Sequence, residues 1–270
     1  MESKKLRILA IGAHPDDCEY HFGGTAALYL RLGHTVRFVS VTNGNAGHQT
    51  MGREELAAVR LGETRRVSEL FGVEYEVLGH DDGSLTDGIA TRDELIALIR
   101  RFRPDAVFTH RSNDYHTDHR HTALLVQDAS FLLGVPLVCP QTPCLRYTPA
   151  ILSFFDTFNK PVEFHADVAV DIDRAEEDKV KMLDCHRSQF YDWLPWVGQE
   201  DCPADKGEQL RCLSMRTAER DGVCAGRCRA TLAARYGAAR GQAVRCAEAF
   251  EASEYGAPLT EDTVRLLFPF

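Results

Sequence analysis

The sequence predicts an α/β fold: a Rossmann-like, mostly parallel β-sheet with helices on both faces, plus a C-terminal strand/helix extension. Three observations predict it. Apolar runs of strand length alternate with segments of helical period through the first two-thirds of the chain. The first run is apolar without interruption, as in strands buried on both faces of a parallel sheet. With 270 residues, 44% apolar and 26% charged, the chain is large enough to bury one full core.

In chain order, LRILAIGA (6–13) is the first strand, ended by His-Pro. Residues 23–32 read as a short helix closed by Gly33, and TVRFVSVT (35–42) as the second strand, followed by a loop over 43–51. A long helical pattern over 53–71 can be closed by Gly72. YEVLG (75–79) is a third strand, 92–102 a helix stopped before Pro104, DAVFTH (105–110) a fourth strand and 119–133 another helix. Such alternation implies parallel strands joined by crossover helices, with ligand sites beyond the carboxyl ends of the strands. After Val135 the pattern changes: LRYT (145–148), ILSFF (151–155) and VAVDI (168–172) suggest short strands, and 173–190 a charged amphipathic helix. Residues 198–245 are polar and weakly periodic. The expected division is a Rossmann-like core over 1–197, a cover or insertion over 198–245, and a closing segment of the same domain over 246–270. The cover is expected beside the mouth of the site or at a subunit contact.

The formal charge of −9, with no block of Lys or Arg, argues against a nucleic-acid or anionic-membrane partner. No stretch is long enough to span a bilayer, and the short apolar start stops at charged residues. The nine cysteines form no repeating frame, and the expectation is reduced thiols in the cytoplasm.

Two clusters carry the chemistry. In Ala13-His14-Pro15-Asp16-Asp17-Cys18-Glu19, His14 and Asp17 are three apart, so one helical turn aims both at one point. Imidazole and carboxylate suit a divalent first-row metal. Adjacent carboxylates cannot both face one ion in a tight turn, so one should ligate and the other stand free to take a proton. Helix capping by Asp16 or Asp17 explains this segment alone equally well. The second cluster, Asn113-Asp114-Tyr115-His116-Thr117-Asp118-His119, repeats histidines three apart around a carboxylate and supplies a third ligand with a second proton-transfer group.

These segments resemble the PIG-L/LmbE-like N-deacetylases. The resemblance rests on AHPDDCE (13–19) and HTDH (116–119), and extends to RLGE (60–63), DDGSL (81–85), CHRSQF (185–190) and AEAFEASEYG (247–256). It implies a zinc site held by His14, Asp17 and His119, with Fe²⁺ or another divalent first-row metal as substitutes. It further implies Asp16 as general base, His116 as acid or electrophile, Asp118 as the carboxylate that orients and tunes His116, and Arg60 and Asp82 as sugar contacts. The implied reaction is removal of the acetyl group from an N-acetylated amino sugar or glycoconjugate, a small-molecule partner. The alternatives are an amidase on another small amide such as a thiol conjugate and, behind it, a non-catalytic sugar- or metal-binding module. The oligomeric state, including a homo-oligomer, stays open.

Other polar residues have blander readings. His21, His34 and His80 are isolated and read as structural; Asn45 and His48 lie in a Gly-rich loop that turn chemistry explains as well as substrate binding does. Trp193 and Trp196 could stack on a sugar ring, although packing of the proline turn is the simpler reading. A nucleotide-binding oxidoreductase would need G-x-G-x-x-G where this chain has G-A-H-P-D-D. A non-haem iron oxygenase shares the two-histidine, one-carboxylate ligand set, but the adjacent Asp16 favours hydrolysis.

Overall fold

The computed structural model describes residues 4–270. Seven strands form one sheet in the order β3-β2-β1-β4-β5-β7-β6. They are β1 Arg7–Gly12, β2 Thr35–Thr42, β3 Glu74–His80, β4 Ala106–Thr109, β5 Ala150–Phe154, β6 Val168–Asp171 and β7 Ala247–Ala252. β1 to β5 pair in parallel, whereas β7 runs antiparallel to both its neighbours. From β1 the chain moves outward to β2 and β3, then returns to β4 on the other side of β1. The crevice between β1 and β4 is therefore the topological switch point.

Helices α1 Asp17–Arg31, α2 Arg53–Phe71, α3 Ile89–Phe102, α4 Thr117–Leu132 and α5 Glu176–Asp184 follow in order. One apolar cluster joins Ile8, Phe22, Phe38, Phe108 and Phe250 on one face of the sheet; another joins Leu9, Val39, Leu95, Val107 and Val126 on the other. Alternate residues of β1 thus enter opposite cores, the layout its uninterrupted apolar run predicts.

Three local expectations need correction. The first helix begins at Asp17, not at residue 23, so the acidic motif forms its first turn. Gly23 and Gly24 do not start the helix; they thin its middle, and a Cβ on Gly24 would meet Ile172 at 2.8 Å. LRYT forms no strand. The helix expected over 173–190 breaks after α5 and resumes as a π-helical segment, Ser188–Trp193, leading into α6 Leu194–Gly198. The break has a physical cause: His186, fully buried, turns inward to Glu19 Oε1 at 2.7 Å, and Ser188 donates from N and Oγ to Glu63 at 2.7 and 2.8 Å. Finally, the closing run 247–256 supplies β7, which lies inside the sheet between β5 and β6.

Residues 206–243 form α7 Lys206–Arg227, α8 Arg229–Tyr236 and α9 Ala238–Ala243, and α10 Glu261–Leu267 follows β7. The buried face of α7 is a narrow stripe, Leu213, Thr217, Asp221, Cys224 and Ala225. Asp221 hides that stripe from a hydrophobicity reading, yet it is fully buried against Lys179 Nζ at 2.8 Å. α7 packs on α5 and β7, and α8 on β6. All nine cysteines are free, and no helix among the described residues is long and apolar enough to cross a membrane.

Candidate metal centre

β1 ends at Gly12, where a Cβ would stand 2.6 Å from that of Asp17. Only glycine lets the chain fold back so tightly, and the following turn is closed by the N–H groups of Asp16 and Asp17 on the carbonyl of His14, at 2.9 and 3.2 Å. The amide of His14 in turn donates to Asp17 Oδ2 at 2.7 Å. The turn thus aims His14 and Asp17 inward together. His119 reaches the same point from the first turn of α4.

Three donor groups converge there. His14 Nδ1 lies 3.2 Å from His119 Nε2 and 3.4 Å from Asp17 Oδ2, and His119 Nε2 lies 3.5 Å from Asp17 Oδ1. Tetrahedral zinc with bonds of about 2.0–2.1 Å needs donors about 3.3–3.4 Å apart. The donor set suits a small divalent ion in chemistry, and each pair stands near that spacing, with Asp17 presenting one oxygen to each imidazole. The outward nitrogens of both imidazoles face carboxylates. His14 Nε2 is 3.3 Å from Asp82 Oδ1 and 3.3 Å from Asp118 Oδ2, and His119 Nδ1 is 3.1 Å from Asp114 Oδ1. Such partners fix ring orientation and leave the other nitrogen free for a metal.

Electrostatics separates the adjacent carboxylates. Burial alone would raise Asp17, but His119 and His110 hold it well below the usual carboxylate range. Burial lifts Asp16 to about 6 against the pull of Arg60, whose Nη2 lies 3.0 Å from Asp16 Oδ1. Burial opposes protonation of His14 and His119 as well, yet the surrounding carboxylates raise both above the ordinary histidine value.

The structure brings all eight sequence-predicted residues to one end of the sheet, but the carboxylate of one of them, Asp118, meets partners other than the one implied. Asp118 does not engage His116 through its carboxylate, which accepts from the amides of Gly83 and Leu85 at 2.7 and 3.3 Å and faces His14. The link between the two residues runs the other way: His116 caps α4 by accepting from the amide of Asp118 at 3.2 Å. Burial, with the neighbouring His14 and His119, lowers the His116 value; Asp118 pulls it up without reversing the direction. Asp82 is held between His14 and the amide of Ala46, 3.3 Å from each. Arg60 is 1% exposed and donates to the carbonyl of Pro15 at 2.8 Å and to Gln189 Oε1 at 2.9 Å.

Sequence reasoning missed His110 and left Asp114 without a role. His110 stacks on His119 with centroids 4.0 Å apart, and its Nε2 sits 3.1 Å from Asp17 Oδ2. Its signal was available, because it is the residue immediately after β4, at the ligand end of the sheet. His21 stacks flat on Phe154, His34 accepts from the amide of Leu6, and His80 pairs with Glu94.

The family model described as PIG-L, GlcNAc-PI de-N-acetylase, matches residues 9–130. Diacetylchitobiose deacetylase of Thermococcus kodakarensis is 30% identical over 204 residues, 70% of this chain and 73% of that protein. The solved structure of N,N'-diacetylchitobiose deacetylase from Pyrococcus horikoshii superposes with a TM-score of 0.68 at 25% identity, covering 94% of this chain and 85% of that one. A 4-oxalmesaconate hydratase of Pseudomonas putida is 22% identical over 201 residues, 72% of this chain and 78% of its own length.

Proposed function

This chain belongs to the PIG-L family of de-N-acetylases, and on that premise we propose that it is a zinc-dependent hydrolase releasing acetate from an N-acetylated amino sugar. The observation that carries the proposal is the junction of a three-donor metal site with a separate buried carboxylate. His14, Asp17 and His119 meet at 3.2–3.5 Å, and Asp16 stands beside them on Arg60. A divalent cation held by that triad would supply Lewis acidity to the acetyl carbonyl and acidify water. The rest of the chemistry belongs to the chain. Asp16, with a value near 6, is ionised at neutral pH and takes the proton of the attacking water. Arg60 is a positioning residue that holds the Asp16 carboxylate in place. As the carbonyl carbon gains the water oxygen and loses the amine, a proton must reach the departing nitrogen. His116, at the N-terminus of α4 and half-buried beside His14 and His119, is placed to relay it; because burial and its neighbours lower its value, the proton it passes on is one taken up during the reaction rather than one held beforehand. Asp82, Asp114 and Asp118 hold the two imidazole ligands.

A second reading, addition of water without amide cleavage, draws support from the hydratase relative. One screen separates the two. Zinc-loaded protein is incubated with N-acetylated sugars, a thiol-conjugate amide and an unsaturated diacid, and free amine and loss of ultraviolet absorbance are measured. Amine release from the sugars is the expected result. Amine release only from the conjugate would move the activity to another amide, and absorbance loss without amine would sink the deacetylase reading.

A further inference from the structure

The chain has two tryptophans, and they stand together. Trp193 ends the π-helical segment and Trp196 lies in α6; their rings stack 5.3 Å apart and 19° from parallel. Trp196 is 57% exposed, so the pair is not there to fill the core. Its position relative to the metal centre is fixed from two sides. On one side, the Nε1 edge of Trp193 presses on Gly47, where a Cβ would stand 3.3 Å away. The next residue back, Ala46, donates to Asp82, whose other oxygen faces His14. On the other side, Gln189, in the same π-helical segment as Trp193, accepts from Arg60, which grips Asp16. Asp192, half-exposed, adds a carboxylate 4.0 Å from His48 Nε2.

We propose that Trp193 and Trp196 form a platform for a second pyranose ring, one linked to the N-acetylated sugar at the metal centre. The substrate class would then be an N-acetylhexosamine oligosaccharide rather than a free monosaccharide, an inference that rests on the deacetylase reading above. A pyranose offers C–H groups to an aromatic face and hydroxyls around its edge, and the site supplies indole faces with an adjacent carboxylate that can accept from a hydroxyl. An alkyl chain would have no use for that carboxylate.

Two measurements test it. The first compares kcat/KM for N,N'-diacetylchitobiose and N-acetylglucosamine in the zinc-loaded protein. The disaccharide should be preferred; Trp196→Ala should cut that preference about five- to tenfold and Trp196→Phe should restore most of it. Equal losses on both sugars, or a wild type without preference, would overturn the platform. The second is indole fluorescence of the full chain without catalysis, using Asp16→Asn. With no tryptophan elsewhere, a saturable change with diacetylchitobiose reports on this pair alone. A change produced instead by an octyl glycoside, with none from the disaccharide, would assign the surface to an alkyl chain and overturn the proposal. If fluorescence saturates with the disaccharide but no sugar yields amine, the platform stands and the deacetylase reading fails. If sugars yield amine while fluorescence stays silent, the deacetylase reading stands and the platform fails.

Discussion

Asp16 and Asp17 are neighbours in sequence with different surroundings, and the proposed chemistry rests on that separation. Asp17 faces three imidazoles, which hold it well below the usual carboxylate range, while Asp16 faces one guanidinium and is pushed up to about 6 by burial. Asp16→Asn should therefore keep its metal while turnover falls by about 10²–10⁴-fold. Asp17→Asn should lose metal, with activity partly recovered in excess zinc; metal content and kcat measured together decide the assignment. Protons give an independent check. Without metal, the surrounding carboxylates raise His14 and His119 above the ordinary imidazole value, so this pair keeps protons to higher pH than free imidazoles do, and a metal must displace them. Zinc binding should therefore release protons and tighten as pH rises through those raised values. Calorimetry in buffers of different ionisation enthalpy measures the release, and a heat independent of buffer would contradict it. The convergence of His14 and Asp17 was legible in the sequence because spacing of three along a turn dictates a shared direction. The partner of the Asp118 carboxylate was not, because spacing says nothing about which of several nearby imidazoles a rotamer will choose.

Among the elements, β1 to β6 and the helix over residues 53–71 were legible from apolar runs and glycine stops, and Gly72 does take the left-handed cap. The segment between α5 and α6 was not. Its helical period is intact, but two buried carboxylates override it: Glu19 draws in His186 and Glu63 draws in the amide of Ser188. The same bonds make it a strut from α1 and α2 to the rim of the site. His186→Gln should destabilise the protein by about 3–5 kcal/mol, since a buried Glu19 would lose its ionic partner. The pH dependence has a definite sign. Burial would lower the His186 value, but Glu19 raises it above 6.5. Its contribution is thus complete below the unfolded value and fades as pH rises through the folded one. Urea denaturation of wild type and variant at pH 6 and pH 9 should show the gap narrowing at the higher pH.

For the molecule as a whole, the parallel half was readable and the C-terminal half was not, because its key contacts are buried charges rather than apolar stripes. Lys179, wholly buried, meets Asp221 at 2.8 Å and Glu248 at 2.9 Å. Glu248 also accepts from the amides of Gly24 and Thr25 at 3.0 and 2.7 Å. One ammonium therefore ties α5 to α7 and β7, and through Glu248 to α1. Lys179→Met removes the ammonium between two buried carboxylates, leaving Asp221 to Arg220 and Glu248 to two amides, and should cost about 3–5 kcal/mol, a loss visible in thermal unfolding of all probes together. The central position of β7 has a consequence in time. All three proposed metal ligands lie in the first 119 residues, yet β6 has no sheet partner until β7, the last strand, arrives. During synthesis, the metal-binding half would leave the ribosome long before the sheet could close, with the edge of β5 still open. A nascent chain stalled after Arg245 should thus be more protease-sensitive than one carrying β7, and an open strand edge of that kind is what a chaperone would be expected to shield.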